Sequence, residues 1–184
     1  MARRSHVPPD PPLTDGEIVL RLRGDEDVTP LAEASNDPET RRWLDDEPLT
    51  EDRQRDGVAR AEEKWRSGES APFVIADAAT DAPLGLLNLQ FGDDDEVAGL
   101  AVSVFPLARG HGLASRALRL GAVWGLSEIG LRRVFAEAAA ENAASIRAIE
   151  KAGFQREGVL RAHCKTHGRR HDCVMFSLVV EDIS

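Results

Sequence analysis

The sequence has no long apolar run, few cysteines and no excess of basic residues, and each shortage excludes a class of protein. No stretch approaches the ~18 consecutive apolar residues that a membrane-spanning helix needs, so we expect no membrane partner. The two cysteines lack the spacing of a disulfide framework, and we expect them to remain thiols in a reducing compartment. A formal net charge of -9 argues against nucleic-acid binding and suits a cationic partner.

The first 14 residues also lack apolar content, and they contain four prolines. This composition is typical of a disordered tail, because it leaves little to bury. A signal peptide would need an apolar stretch where these prolines stand, so we expect a cytoplasmic protein. Residues 15–184 are long enough for one domain, and we expect a monomer or a homodimer.

Hydrophobic periodicity predicts alternating strands and helices after the tail. A period of two marks a strand at 18–23, and helical spacing marks helices at about 27–34 and 50–66, the second stopped by Gly68. The other predicted elements are strands at 72–77, 83–91, 97–105, 132–140, 154–163 and 171–180, and helices at 113–130 and 143–151. This order predicts a mixed α/β domain with helices on both faces of a sheet.

The stretch RGHGLA, residues 109–114, lies between an apolar strand and a helix. The amides at a helix start are unpaired and carry partial positive charge, so this turn can bind a phosphate. Gly110 and Gly112 let the backbone approach the anion, and Arg109 adds a charge. The alternative is a tight turn without a ligand. A Rossmann fingerprint would need glycine where Ser115 stands, and a Walker loop would need Gly-Lys-Ser/Thr.

The same six residues resemble the R/Q-x-x-G-x-G/A signature of the GNAT superfamily of acetyltransferases. Residues 20–44, 141–161 and 168–178 resemble the subgroup that acetylates ribosomal-protein N-termini, the RimJ/RimL type. The resemblance covers nearly all of residues 17–178 in the right order. It implies a GNAT-like, mostly antiparallel twisted sheet. It also implies an N-acetyltransferase that passes acetyl directly from acetyl-coenzyme A to a primary amine, on a protein N-terminus or a small molecule.

The resemblance further implies which residues bind the cofactor. In the family, the turn holds the pyrophosphate of acetyl-coenzyme A, and the preceding strand end splays from its neighbour and offers backbone amides. Asn142 stands where the family has an asparagine that hydrogen-bonds the cofactor, and it equally fits a plain helix cap. The cofactor-binding residues predicted in this way are Val104, Phe105, Arg109, Gly110, His111, Gly112, Leu113, Ala114 and Asn142.

The catalytic residues follow the family less closely. Many members have a tyrosine general acid seven residues after the asparagine, but Ile149 stands there and the chain contains no tyrosine. Ser145 matches the serine of the RimJ/RimL-like subgroup, so it is the candidate acid or thiolate donor, with an ordinary helix serine as the alternative. Glu69 or a carboxylate of residues 93–96 is the candidate base through water. The missing tyrosine keeps a non-catalytic acyl-coenzyme A binding module as an alternative function.

Five potential metal ligands lie within eleven residues: His163, Cys164, His167, His171 and Cys173. Zinc ligands usually come in pairs on either side of a turn, whereas this segment is predicted to be two strands. Neighbouring residues of a strand point to opposite faces, so His163 and Cys164 are not expected to share an ion. We therefore expect no metal, with a metal-binding interaction domain as the remaining alternative.

Overall fold

The computed structural model of the protein describes residues 6–44 and 50–183. Its strands are β1 (Leu13–Thr14), β2 (Ile18–Arg21), β3 (Ser70–Asp77), β4 (Pro83–Phe91), β5 (Val97–Val104), β6 (Arg133–Ala139), β7 (Gln155–Thr166) and β8 (Arg169–Val179). They form one sheet in the order β1-β2-β3-β4-β5-β6-β8-β7. Only β5 and β6 pair in parallel, so the mostly antiparallel sheet is confirmed.

The helices are α1 (Val28–Ser35), α2 (Pro38–Trp43), α3 (Glu51–Ser67), α4 (Leu113–Trp124) and α5 (Ala143–Lys151). Gly68 ends α3 in a left-handed conformation, as its position in the sequence predicts. Among the described residues, no helix has the length and apolar character required to cross a membrane.

The short helix α2 is missing from the sequence prediction, which has a helix at about 27–34 and interprets the following Asn36-Asp37-Pro38 as the turn that closes it. The structure instead begins a second helix there. The Asp37 carboxylate accepts the backbone N–H of Thr40 at 2.8 Å, and Pro38 takes the first helical position. Aspartate and proline are signals for a helix start as well as for a turn, so one helix ends and another begins within three residues.

Helix α4 packs on one face of the sheet, where most of the core lies. Trp65 of α3, Phe73 of β3 and Trp124 of α4 contact one another edge to face, with ring centroids 5.1–5.8 Å apart. The indole N–H of Trp65 donates to the Pro72 carbonyl at 3.2 Å. This bond gives the Pro72 carbonyl a partner at a position where β2 offers none, because the pairing of β2 with β3 begins only at Val74.

The opposite face of β3 is also covered. Val74 and Ala76 alternate with Phe73 and Ile75 along the strand, and all four side chains are buried. Helix α3 packs against β3 and against α1. The prediction of a mixed α/β sheet with both faces covered is therefore confirmed.

The sheet begins earlier than the sequence pattern indicates. Leu13 and Thr14 pair with Leu20 and Val19, and the Thr14 hydroxyl donates to the Ile18 carbonyl at 2.7 Å. Two residues are too few to show a period of two, so the sequence pattern places them in the tail. The division of the chain into a disordered tail, residues 1–14, and a domain stays a prediction.

The prediction that the two cysteines remain separate thiols is wrong. Cys164 and Cys173 form a disulfide between β7 and β8, with Cα atoms 5.8 Å apart. Their separation of nine residues matches no framework spacing, but the hairpin turn at residues 167–168 folds the two strands against each other and brings the cysteines together.

Candidate active site

Strands β5 and β6 separate along their length and leave an opening in the sheet. Their paired residues run only from Val97 with Arg133 to Gly99 with Phe135, whereas β5 continues to Val104. A cavity of about 550 Å³ lies at this opening. Its lining includes seven of the nine predicted cofactor residues and the predicted acid: Val104, Arg109, Gly110, Gly112, Leu113, Ala114, Asn142 and Ser145.

The end of β5 presents its backbone to both sides. Phe105 donates its N–H to the Leu84 carbonyl at 2.8 Å, on the β4 side. Backbone groups alternate sides along a strand, so the N–H of Val104 points into the opening. Phe105 is thus not brought to this cavity, and its side chain lines a smaller one of about 120 Å³. Thr40, Leu44 and Ser103 line both cavities, which therefore adjoin.

The glycine turn adopts a conformation that requires glycine. Gly110 and Gly112 have φ angles of 83° and 76°, in the left-handed region, and Gly112 is the N-terminal cap of α4. The Arg116 N–H donates to the Gly112 carbonyl at 3.2 Å within the first helical turn. The amides of residues 113–115 precede that bond and point along the helix axis. The turn therefore has the geometry of helix starts that bind anions, and it lies at the cavity wall.

Two basic residues beside the turn were missed by the sequence analysis. A Cβ atom added to Gly112 would lie 3.4 Å from Lys151 Nζ, and one added to Gly153 would lie 3.2 Å from Arg119 Nη1. Both residues line a further cavity of about 460 Å³, together with the predicted residue His111. The signal available in the sequence was that Arg119 lies off the apolar stripe of α4, which is formed at helical spacing by Leu113, Ala117, Leu120 and Trp124.

Arg109 connects the turn to helix α2. Its Nη2 donates to the Asp37 carboxylate and to the Thr40 hydroxyl, both at 2.7 Å, and its Nε donates to the Val104 carbonyl at 3.2 Å. The pKa of Asp37 is lowered, first by the backbone N–H of Thr40 and next by the Arg109 guanidinium. The arginine side chain therefore holds three parts of the cavity wall together.

Asn142 caps helix α5, the simpler of its two predicted roles. Its Oδ1 accepts the N–H of Ser145 at 3.0 Å. The Nδ2 amide takes no part in this bond, and the residue lines the cavity. Ser145 is partly buried in the first turn of α5 and also lines the cavity. Ile149, at the position of the family tyrosine, is only 2% exposed and belongs to the core.

The predicted carboxylates are not brought to the cavity. Glu69 forms an ion pair with Lys64 at 3.1 Å. It directly precedes Ser70, which pairs with Gln90 at the end of β4 that lies far from Val104. Residues 93–96 join β4 to the beginning of β5, at the same distant end. These positions do not support a role as base. Glu39 of α2 lines the cavity instead, and its carboxylate accepts the Trp43 indole N–H at 2.8 Å.

The fold and this cavity define a class of protein, which comparison with known proteins identifies. The family model described as "Acetyltransferase (GNAT) domain" matches residues 17–155. An uncharacterized N-acetyltransferase of Bacillus licheniformis is 31% identical over 166 residues, which cover 88% of this chain and 92% of the relative. The chain therefore belongs to the GNAT acetyltransferase family and is an acetyltransferase, as its sequence predicts.

Two solved structures share the fold. RimL, a ribosomal-protein α-N-acetyltransferase in complex with coenzyme A, matches with a TM-score of 0.80 at 17% identity, over 93% of this chain and 98% of its own. The microcin self-immunity acetyltransferase MccE, in complex with acetyl-coenzyme A and AMP, matches with a TM-score of 0.81 at 16% identity, over 93% and 100%.

Proposed function

We propose that the protein transfers acetyl from acetyl-coenzyme A to a primary amine by direct attack in a ternary complex. The observation that carries this proposal is the position of the glycine turn, beside the opening between β5 and β6. A pyrophosphate on the turn would direct the rest of the cofactor along the free edge of β5. Two proteins of the same fold bind coenzyme A or acetyl-coenzyme A, which supports this choice of co-substrate.

The cofactor would be held mainly by backbone groups. The amides of residues 110–114 would donate to the pyrophosphate, and the side chains of Lys151 and Arg119 would add positive charge beside it. The N–H of Val104 would hydrogen-bond the pantetheine arm within the opening. Asn142 would donate from Nδ2, since its Oδ1 already accepts the N–H of Ser145. No metal takes part in this scheme.

The chemical step needs a free amine, a polarised carbonyl and an acid for the leaving thiolate. The amine nitrogen would attack the thioester carbon, and the carbon–sulfur bond would break as the carbon–nitrogen bond is completed. The Ser145 hydroxyl would donate a hydrogen bond to the departing sulfur, which leaves as the coenzyme A thiolate and takes its proton from solvent. The amine proton would pass through water to Glu39, the carboxylate that lines the cavity.

The acceptor would approach from the smaller cavity between α1, α2 and β4, because it adjoins the larger one at Ser103. We propose a protein N-terminus or a small cationic amine, since the net charge of -9 favours cations. The buried Ile149 in place of tyrosine favours one rival, an acyl-coenzyme A binding module without turnover. The cytoplasmic location and the monomeric or homodimeric state stay predictions.

Both functions are tested by incubating the protein with acetyl-coenzyme A and a panel of amines while the release of free thiol is measured. The panel contains peptides with free N-termini, polyamines, amino acids and aminoglycosides. An acetyltransferase releases thiol with at least one amine, and mass spectrometry finds that amine heavier by one acetyl group. Cofactor binding without turnover across the panel would favour the binding module. Absence of both would overturn the proposal.

A further inference from the structure

A second group of chemically active side chains lies away from the cavity, on the exposed face of β6, β7 and β8. Within the described residues, ligand atoms of Glu137, Cys164 and Cys173 lie within 4.8 Å of one another. His163 Nε2 is 3.3 Å from Glu137 Oε2. We call these four residues the thiol cluster. Two sulfurs and one carboxylate oxygen form the group within 4.8 Å, and the imidazole nitrogen lies outside it, beside the carboxylate; all four are ligand types of zinc sites.

A bulge in β7 makes this arrangement possible. Pairing between β7 and β8 shifts between Leu160 and Cys164, so the residues between them lie outside the regular register. Ala162 has a φ of 51°, a left-handed conformation that costs roughly 1–2 kcal/mol for a residue other than glycine. A bulge can re-aim a side chain, and here it turns His163 toward Glu137. The rule of alternating faces, which excluded a shared ion, does not hold in a bulge.

The bulge is held in place by neighbouring β8 residues. The Asp172 carboxylate accepts the Ala162 N–H at 2.8 Å, and Arg170 Nη1 donates to the Ala162 and His163 carbonyls at 3.0 and 3.2 Å. Three hydrogen bonds therefore stabilise a strained backbone whose visible result is the position of His163. Strain that is supported in this way is a mark of functional positions.

We propose that the thiol cluster binds one zinc ion when the two cysteines are reduced, and that the disulfide is the metal-free state. A zinc ion would need the two sulfurs to separate until each lies about 2.3 Å from it. Cys173 is buried and Cys164 is partly buried, whereas Glu137 and His163 are exposed, so a bound ion would be shielded from water on its sulfur side only. Each thiol would release its proton to solvent on binding the ion.

The ion would stabilise the end of β6 and the residues that connect it to α5. Cys173 pairs with Ala139, the last residue of β6, and Ala140 donates its N–H to the Asp172 carbonyl at 2.8 Å. Asn142 and α5 follow directly. The site would thus fix the strand end from which the proposed cofactor contacts begin, although its existence does not depend on the proposed reaction.

The test measures zinc per chain in reduced and oxidised protein. A phosphine reduces the disulfide to two thiols, taking up the oxygen of one water as phosphine oxide. After zinc is added and the excess removed by gel filtration, reduced protein should retain about one zinc per chain and oxidised protein almost none. Cobalt in place of zinc should give the absorption of a tetrahedral ion with thiolate ligands.

Variants locate the site. Cys164→Ser and Glu137→Gln should each weaken zinc binding by roughly 10-fold or more, whereas His167→Ala, a histidine of the hairpin turn outside the cluster, should bind as the wild type does. Circular dichroism checks that each variant is folded, and Glu137→Gln keeps the test valid if Cys164→Ser is not. Failure of the reduced wild type to retain zinc would overturn the proposal. Equal binding by the oxidised protein or by both variants would do the same.

Discussion

Gly112 is the position at which the anion-binding role of the turn can be tested most directly. A Cβ added there would lie 3.4 Å from Lys151 Nζ, so Gly112→Asp would place a carboxylate in the proposed pyrophosphate site. Gly130→Asp is the matched control, because Gly130 also has a left-handed φ of 87° and no heavy atom of the described residues lies within 4 Å of its added Cβ. Both changes introduce the same side chain into the same type of backbone.

The magnitudes follow from this geometry. Left-handed backbone costs an ordinary residue about 1–2 kcal/mol, which would lower the Tm of a chain of this size by about 2–8 °C. The loss should be smaller for Gly112→Asp, since its carboxylate stands at a helix N-terminus and beside Lys151. Acetyl-coenzyme A at 100 times its Kd stabilises the wild type by about 2.7 kcal/mol, or about 5–10 °C. A variant that binds 100-fold more weakly gains only about 0.4 kcal/mol, or about 1–2 °C.

The assay is thermal unfolding of the wild type and both variants, with and without acetyl-coenzyme A. We expect Gly130→Asp to keep the full ligand-dependent rise in Tm and Gly112→Asp to lose nearly all of it. A folded Gly112→Asp protein that keeps the full rise would show that the phosphates bind elsewhere. Loss of the rise in both variants would mean that the effect is not local to the turn.

Three further predictions concern other contacts. Ser145→Ala should lower kcat by roughly 10²-fold with unchanged acetyl-coenzyme A affinity, whereas Asn142→Ala should weaken affinity too; rapid-quench kinetics and calorimetry measure the two effects. Arg109→Gln should lower the free energy of unfolding in urea by about 1 kcal/mol, because Asp37 loses its ion pair. Arg133 and then Ser177 lower the pKa of Glu157 from 4.5 to about 2, so its stabilising effect is full above pH 4.5 and disappears as the pH falls toward 2. Glu157→Gln should flatten that part of the acid-unfolding profile.

Features that depend on neighbouring residues in the chain could be predicted from the sequence. The glycines of the turn, the Asn142 cap and the succession of long strands along the chain each have a local cause, and the structure contains all three. The two-residue strand β1 could not be predicted, because it is shorter than any period. Helix α2 was missed because its start signals are also turn signals.

Features that depend on distant residues could not be predicted. Glu69 precedes a predicted strand, but only the pairing of β3 with β4, and of β4 with β5, shows that it lies at the end of the sheet away from Val104 and the cavity. Lys151 approaches Gly112 because α5 packs on α4, which no local pattern reveals. The bulge at Ala162 similarly became visible only in the register of β7 against β8.

Arg109 gives the clearest case of a residue whose position was predicted and whose contacts were not. Its charge was expected at the pyrophosphate, yet its guanidinium binds Asp37 and Thr40, about seventy residues earlier in the chain. Asp37 Oδ2 also caps α2 through the Thr40 N–H, so one carboxylate oxygen serves both the helix and the arginine. A shift of the turn would therefore disturb α2, the helix that brings Glu39 and Thr40 to the cavity. The role of Arg109 at the pyrophosphate stays a prediction, and we propose that Lys151 and Arg119 add positive charge there, while the Arg109 side chain ties the glycine turn to α2.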